Sequence, residues 1–416
     1  MFQSEAIREV FNSIRQNKIR TILAGFGVAW GIFILVILLG VGQGFQNGVM
    51  SMFDIFAQKS MYVYGNRTSL KYRNMKEGME VLFDKEYLHA LHKRYAAINA
   101  ISPEIMQPNM GITYKEKNTF ATITGVESDY FHIKLLQPKS GGRLFNAFDI
   151  RQGRDVVIIG EGIEQTLFGK KSSLGCNVNI GGTIFKIVGV LKSDNLFSIQ
   201  ERNSVYIPFG SFTRNITINA HFNSFCMMLN SRTDTRKFET ELKYYIAYKS
   251  GFDIEDTQAV FIANIEAQTS SFESLFNGLK ILIWGIGICF LLSGIVGICN
   301  IMLIIVKERT NEIGIRKAVG ALPTTIINLV LSEAVTITML AGVIGIILGT
   351  GVLYLIDLAV QSLADTSVMA QTSIDIPIIL FAVLVLVLSG IIAGLFPAIK
   401  AAQIMPVDAI RYENRG

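Results

Sequence analysis

The sequence has 416 residues, of which 50% are hydrophobic and only 17% are charged, and its mean hydropathy is +0.41. Because a soluble domain of this size carries about a quarter charged residues, this composition disfavours an ordinary soluble protein. The net charge of +5 is small and gives no reason to expect a nucleic-acid partner. Residues 46–275 hold 26 of the 38 Lys and Arg residues and 23 of the 33 Asp and Glu residues. The chain is therefore predicted to combine one polar domain with a membrane part.

Four stretches without a charged residue are long enough to cross a bilayer, which takes about 20 apolar residues. They are Thr21–Phe53, Ile281–Val306, Ala334–Ile356 and Ile376–Ile399. The first is too long for the apolar core of a signal peptide, about 7–15 residues, so we predict a retained helix. We end this helix near Gly44, because the polar residues Gln43, Gln46 and Asn47 follow.

Lys and Arg in the short flanking segments predict the orientation, since they concentrate on the cytoplasmic side. Residues 1–20 contain four basic residues, the 307–317 segment contains four more and the tail contains three, whereas 357–375 has none. Both termini and the loop near 307–317 are therefore predicted to be cytoplasmic, with residues 45–275 in the periplasm and the chain in the bacterial inner membrane.

These observations predict a membrane protein with four transmembrane α-helices and a large α+β extracytoplasmic domain between helices 1 and 2. The predicted segments are a cytoplasmic amphipathic N-terminal helix (1–20), transmembrane helix 1 (21–44), the extracytoplasmic domain (45–257), stalk and transmembrane helix 2 (258–306), a cytoplasmic coupling helix (307–322), transmembrane helix 3 (323–356), a short extracytoplasmic loop (357–375), transmembrane helix 4 (376–399) and a cytoplasmic tail (400–416).

Within the extracytoplasmic domain, alternating apolar residues predict short strands and two amphipathic helices. The strands are Met61–Tyr64, Thr119–Gly125, Val156–Ile159, Asn177–Ile180, Thr183–Val190, Val205–Ile207 and Ser224–Leu229, and the helices are Lys85–Ala97 and Thr235–Tyr248. We expect a β-rich insertion near 120–210 between two βα pieces that pair with each other. From about Gln258 the chain is predicted to be helical as far as Lys280.

Cysteines and histidines give weak signals. Cys289 and Cys299 lie in the second membrane segment, where packing is the favoured interpretation. A disulfide between Cys176 and Cys226 stays open, because their spacing does not show that they meet. His89 and His92 are three apart without a partner glutamate, so we predict a solvated helix face and no metal site. No phosphate-binding G-x-x-x-x-G-K-[ST] motif is present, and we predict no cofactor site and no catalytic residue on this chain.

Glycines four apart and two polar residues mark the membrane helices. The glycine pairs are Gly27/Gly31, Gly40/Gly44, Gly345/Gly349 and Gly390/Gly394. Such spacing lets helix backbones approach closely, either within one subunit or between two. The intramembrane polar residues are Asn300 and Glu333, and for Glu333 we favour structural anchoring over a proton relay.

The loop Val306–Ala321 carries the most specific signal. It mixes both signs of charge with Ile313, Ile315 and Val319, as a surface helix that docks on a partner would. A solvated basic turn would explain its lysines and arginines but not its glutamates and isoleucines. The predicted ATPase-coupling residues are Glu308, Arg309, Glu312, Ile313, Arg316 and Lys317, with Ile313 as an apolar anchor and Glu308, Glu312 and Arg316 four apart on one face.

At this loop the sequence resembles the MacB/FtsX-like permeases of ABC transporters, the mechanotransmitting type. The resemblance covers nearly the whole chain. It is carried by Arg8–Trp30, Ile123–Val126, Gly142-Arg143, Leu167–Gly169, Val205–Pro208, Gly294–Leu303, the Val306–Ala321 loop, Leu331–Ala334, Gly390–Ala402 and Pro406–Arg411.

The resemblance implies a permease that works as a dimer, with a second copy or a paralogue, on two ATPase subunits. It implies a separate ABC ATPase that carries the ATP and Mg, so that this chain is not itself an enzyme. Transport would be export, efflux or lipoprotein-type extrusion, with a periplasmic adaptor or an outer-membrane channel as further partners. The alternative hypothesis is a signalling module that regulates an envelope partner, such as a peptidoglycan hydrolase, without transport. An ion-coupled carrier is disfavoured, because the four helices offer no midplane ion site.

Overall fold

The structure is a computed structural model that describes residues 18–54, 56–73, 75–192, 199–217, 220–363 and 376–405. The chain divides into two compact units. The helical unit consists of the residues up to Gly48 and from Leu275, and the α/β unit consists of Val49–Ser274. Most of the predicted N-terminal helix, most of the 357–375 loop and the end of the tail lie outside the described residues.

In chain order the described helices are α1 (Lys18–Ser51), α2 (Lys85–Arg94), α3 (Asp129–Ile133), α4 (Ala147–Gln152), α5 (Glu161–Phe168), α6 (Ile199–Arg202), α7 (Phe209–Asn215), α8 (Thr235–Ser250), α9 (Ile265–Glu308), α10 (Thr310–Ala318), α11 (Pro323–Leu363) and α12 (Ile376–Gln403). The described strands are β1 (Ser60–Gly65), β2 (Ile98–Tyr114), β3 (Lys117–Val126), β4 (Val156–Gly160), β5 (Asn177–Ile180), β6 (Thr183–Leu191), β7 (Ser204–Pro208), β8 (Ser224–Leu229) and β9 (Val260–Asn264).

Among the described residues, four helices are long and apolar enough to cross a membrane. The spans are Gly25–Ser51 in α1, the whole of α9, Pro323–Val360 in α11 and Ala382–Gln403 in α12. The predicted fold class, four membrane helices with an α+β domain between the first two, is confirmed.

Two predicted helix boundaries are wrong. Helix α1 does not end near Gly44 but continues to Ser51. The side-chain amide of Gln43 donates to Asn47 Oδ1 at 2.9 Å, and this i,i+4 pair supports the helix through its polar segment. Residues from Gln258 do not begin the stalk helix, because β9 comes first and α9 starts at Ile265.

Glycines bring the membrane helices of the helical unit into close contact with one another. A Cβ added at Gly27 would lie 3.4 Å from the Gly294 Cα, and one added at Gly345 would lie 2.5 Å from the Ala29 carbonyl oxygen. The paired glycines also meet neighbouring helices: Gly31 at Phe290, Gly40 at Leu353, Gly349 at Val36, Gly390 at Thr338 and Gly394 at Ala334. These glycines therefore lie at contacts within one chain.

The first layer of the α/β unit is an antiparallel sheet in the order β2-β8-β1-β9. With α2 after β1 and α8 after β8, the chain follows the β-α-β-β-α-β pattern of a ferredoxin-like fold, interrupted by an insertion. Asp84 caps α2 by accepting from the Tyr87 amide at 2.7 Å, and Asp234 caps α8 by accepting from the amides of Arg236 and Lys237. The predicted pairing of the two βα pieces is confirmed by the β1–β8 ladder.

The β-rich insertion forms a closed ring of six strands in the order β2-β3-β7-β4-β6-β5, and β5 pairs back onto β2. Closure leaves none of these six strands as an open edge of the ring. Its interior is an apolar cluster that includes Ile123, Val157 and Phe185 from the strands, together with Leu167 from α5.

Strand β2 belongs to both layers, and it was not predicted. Its N-terminal half pairs with β8, and its C-terminal half pairs with β3 and β5. The register shifts between Gln107 and Met110, where Asn109 adopts a φ of 56°, so the strand is irregular at that point. This long strand is difficult to recognise from the sequence because it contains Pro103 and Pro108, and proline usually marks the end of a strand.

The four cysteines are free thiols. Cys226 is buried in β8, and Cys176 packs in a different apolar cluster, against the interior of the six-stranded ring. The disulfide that the sequence left open is therefore not formed.

Candidate functional site

The predicted coupling loop is folded as the short helix α10, which is separated from α9 by a bend at Arg309. Arg309 has φ −94° and ψ 15°, outside the helical range, and the Thr310 hydroxyl donates to the Lys307 carbonyl at 2.8 Å. Glu308 is the last residue of α9. The prediction that Glu308 shares one helical face with Glu312 and Arg316 is thus corrected, because the bend places it on a different helix.

The C-terminus of α10 closes with a Schellman motif. The Ala321 amide donates to the Arg316 carbonyl at 3.0 Å, and the Gly320 amide donates to the Lys317 carbonyl at 3.1 Å. Gly320 has a φ of +102°, which favours glycine over residues with a side chain. The helix therefore has a defined end, and the chain turns there into α11.

An ion pair anchors the bend to α11. The Arg309 guanidinium Nη1 lies 3.4 Å from Oε2 of Glu333, whose residue surface is only 4% exposed. A buried carboxylate requires such a partner, because removing its charge from water is costly. Glu333 thus anchors the loop to α11. The positive charge of Arg309 is paired within its own chain.

A second anchor joins α10 to the end of α12. The Lys317 ammonium donates to the carbonyl of Ala402 at 2.7 Å and to that of Ile404 at 2.8 Å. The last carbonyls of a helix have no intrahelical partner and carry the negative end of its dipole, so a cation there is stabilising. Lys317 therefore caps α12.

Ile313 provides a third anchor. It is 5% exposed and belongs to the same buried cluster as Val306 and Ile326. Its side chain is thus occupied by the core of its own unit, which corrects its assignment as an anchor for a partner. Ile313 and Ile315 are two residues apart and therefore lie on different faces of a helix, but only burial in the structure shows which face is turned inward.

The opposite face of α10 is exposed. Glu312, Ile315, Arg316 and Val319 share it, at the i, i+3, i+4 and i+7 spacing of one helical stripe. Val319 is 84% exposed, Ile315 is 52% exposed and Leu322, just beyond the helix, is 67% exposed. Apolar side chains with charged neighbours are typical of a protein–protein interface. The helix thus exposes a mixed apolar and charged face, while its other face is anchored to its own unit.

The second predicted intramembrane polar residue is Asn300. Its side chain is exposed on α9. Two glycines of the same helix, Gly285 and Gly297, have no atom within 4 Å of an added Cβ. This part of α9 is thus not covered by the described residues of its own chain.

Sequence reasoning missed a buried charge cluster in the α/β unit. The Lys134 ammonium lies 3.5 Å from Glu104 Oε1 and 4.0 Å from Glu201 Oε1, and the Tyr130 hydroxyl donates to Glu104 at 2.7 Å. Burial alone would lower the pKa of Lys134, but the Glu104 charge and its neighbours raise it above its usual value. The three charged residues come from β2, the residue after α3 and α6, so no local pattern could have revealed them.

No metal site emerges in the described part of the chain, where no group of three His, Cys, Asp or Glu side chains could hold an ion. His89 and His92 are both exposed on α2.

Two family models match the chain. Residues 21–259 match the model of the MacB-like periplasmic core domain, and residues 284–406 match that of the FtsX-like permease C-terminal domain. A relative from Bacillus subtilis, described as an uncharacterized ABC transporter permease YknZ, is 29% identical over 98% of this chain and 99% of its own length.

The macrolide export ATP-binding/permease protein MacB of Neisseria gonorrhoeae is 27% identical over 98% of this chain. The chain spans only 60% of that relative's length. Among solved structures, the periplasmic region of MacB from Actinobacillus actinomycetemcomitans matches 53% of this chain and 95% of its own, with 18% identity and a TM-score of 0.43.

Proposed function

The chain belongs to the MacB- and FtsX-like family of ABC transporter permeases, and we propose that it transmits ATP-driven motion of a separate ATPase subunit to its α/β unit, for export or efflux. The observation that carries this proposal is the exposed face of α10, which is backed by anchors to α11, α12 and the core of the helical unit. A surface that receives force from a partner must not yield locally, and these three anchors supply that stiffness.

Helix α9 is the proposed transmitting element. It is one 44-residue helix from Ile265 to Glu308, about 66 Å long at 1.5 Å per residue. It contains the last residues of the α/β unit and the first residues after the boundary at Leu275. Displacement of α10 would therefore act on the cytoplasmic end of a helix that begins in the α/β unit.

The separate ATPase is proposed from the pattern of relatives. The relative matched along 99% of its length is described as a permease, whereas MacB is described as an ATP-binding/permease protein. ATP and Mg would then be bound by the partner, and this chain would perform no catalysis itself. We propose the inner membrane as its location, with both termini and α10 cytoplasmic and the α/β unit in the periplasm, where an adaptor or an outer-membrane channel would meet it.

We further propose that two copies, or a copy and a paralogue, assemble through α9. Asn300 is an exposed polar side chain on a helix that is apolar enough to span a membrane. An amide facing hydrocarbon has no hydrogen-bond partner, and polar side chains in membrane helices commonly bond across helix interfaces. The open positions at Gly285 and Gly297 would let a second helix approach closely.

Co-purification tests the coupling surface. Ile315→Asp should insert and fold normally, because its side chain is exposed, but it should lose the ATPase from complexes isolated from native membranes. Ile184→Asp is the matched control, since Ile184 is 63% exposed on β6 of the α/β unit. Retention of the ATPase by Ile315→Asp at the control level would refute the docking surface. A co-purified peptidoglycan hydrolase without a transport partner would instead favour regulation of the envelope.

A further inference from the structure

A pocket lies between the outer parts of α1 and α9 within the helical unit. The two helices run antiparallel, with Gly31 against Phe290 and the ring of Phe45 5.8 Å from that of Phe276. The cavity measures about 320 Å³, at the lower end of the volumes of small-molecule sites, about 300–1,000 Å³. It is thus large enough for part of an amphiphile.

The pocket is lined partly by apolar and partly by polar residues. Leu39, Gly42 and Ile283 form an apolar part, and Lys280, Trp284 and Gln46 also line the pocket. Trp is enriched where a membrane helix passes from hydrocarbon to headgroups, and a Lys at the edge of an apolar stretch, as Lys280 is before Ile281–Val306, extends its charge toward that level. The pocket therefore spans the boundary between acyl chains and headgroups.

Two polar groups that line this pocket, the Gln46 side-chain oxygen and the Lys280 ammonium, have no hydrogen-bond or ion-pair partner among the described side chains. The side-chain oxygen of Gln46 is fully buried, and no donor among the described residues reaches it. Buried acceptors are nearly always hydrogen-bonded, and a rotation of the Gln46 side-chain amide toward the cavity that it lines would let a ligand supply the missing donor. No hydrogen bond or ion pair joins the Lys280 ammonium to another side chain in the described ranges. The ligand that fits must present an anion, a hydrogen-bond donor and an apolar chain.

We propose that this pocket binds a phospholipid from the bilayer leaflet at the Gln46 end of α1. The phosphate pairs with Lys280, a hydroxyl or ammonium of the headgroup donates to the Gln46 oxygen, and one acyl chain lies against Leu39, Gly42 and Ile283. The donor requirement distinguishes lipids that share a phosphate. Phosphatidylglycerol offers glycerol hydroxyls, whereas the headgroup of phosphatidylcholine carries no donor.

Native mass spectrometry of the full chain in detergent tests this site, with phosphatidylglycerol and phosphatidylcholine of identical acyl chains as probes. Wild type should retain phosphatidylglycerol at least about tenfold more tightly, the ratio expected for one hydrogen bond to a charged or buried group. Lys280→Gln should weaken binding of both lipids, and Gln46→Leu should remove the preference for phosphatidylglycerol.

Filling the pocket supplies an independent test. A Cβ added at Gly42 would lie 3.4 Å from Ile283 Cδ1, so Gly42→Leu projects into the cavity and should displace both lipids. Gly351→Leu on α11, where an added Cβ meets nothing within 4 Å, is the matched control. Lys249→Gln, at an exposed site on α8, controls for the loss of one charge. Equal retention of the two lipids by wild type, or an unchanged preference in both Lys280→Gln and Gln46→Leu, would overturn the proposal.

Discussion

The guanidinium of Arg309 lies 3.4 Å from the carboxylate of Glu333, and this pair joins the bend before α10 to a helix that starts fourteen residues later, at Pro323. Glu333 is the more buried partner, with 5% of its side chain exposed against 30% for Arg309. Water has little access to the Glu333 carboxylate, so the carboxylate depends on Arg309 for its stabilisation. The ion pair therefore fixes the position of the loop. This contact holds the bend before α10 against α11, as the proposed coupling role requires.

A double-mutant cycle on this pair should give a coupling free energy of about 0.5–3 kcal/mol. Arg309→Ala removes the guanidinium that lies beside the buried Glu333 carboxylate, whereas Glu333→Gln removes the buried charge itself. The double variant should thus be less destabilised than the sum of the single variants. Unfolding in detergent measures the cycle, with the exposed Lys307→Ala as control. Strict additivity of the two substitutions would show that the contact carries no energy.

A second prediction concerns the charge cluster in the α/β unit. Lys134→Met should destabilise the protein by about 3–5 kcal/mol, because the Glu104 carboxylate, 1% exposed, loses its cationic partner. Adding Glu104→Gln should recover part of that loss. Fragment 49–274, which contains its own apolar clusters, is expected to fold alone and is the sample for denaturant titration. A loss below about 1 kcal/mol for Lys134→Met would contradict this role for the ion pair.

Cysteine labelling tests the orientation in a variant without its four native cysteines. Ser231→Cys, exposed beyond β8, should react with an impermeant maleimide from outside the cell, and Ala318→Cys, exposed on α10, only after permeabilisation. Labelling of Ala318→Cys in intact cells would invert the topology and place α10 away from any ATPase.

Assembly of two copies through α9 predicts a specific crosslink. Val296, 57% exposed on the same helix as Asn300, should form a disulfide between copies when it is replaced by Cys in the same cysteine-free background. Ile347, 62% exposed on α11, is the control position. Crosslinking at Ile347 instead of Val296 would assign the interface to another helix.

Local patterns predicted most elements of the α/β unit. The alternation in Thr183–Val190 and the glycine turn before it correctly indicated a hairpin, now seen as β5 and β6. Strand β9 was missed because the run from Gln258 has no clear alternation and precedes a long helix. Strand β2 was missed because its two prolines suggested breaks, whereas pairing on several sides holds the strand together.

The sequence was sufficient to locate the candidate loop, but not to predict which of its side chains are exposed and which are buried. Charge and apolar content located the loop between 306 and 321, yet its contacts come from residues far away in sequence. Lys317 binds carbonyls 85 and 87 residues away, and no periodicity encodes that distance. Burial also separates Ile313 from Ile315, which are equally hydrophobic in sequence. Only tertiary packing decides which isoleucine stays exposed.

The most direct test of coupling is to observe the α/β unit while the ATPase binds nucleotide. A fluorophore at Ser231→Cys, in the full complex reconstituted in lipid, should change its emission on addition of ATP and Mg. The same label should stay unresponsive when ATPase, ATP and Mg are supplied to reconstituted Ile315→Asp, which is expected not to retain the ATPase, and it should respond normally with Ile184→Asp. An ATP response that persists with Ile315→Asp, or the absence of a response in the otherwise wild-type complex, would contradict transmission through α10.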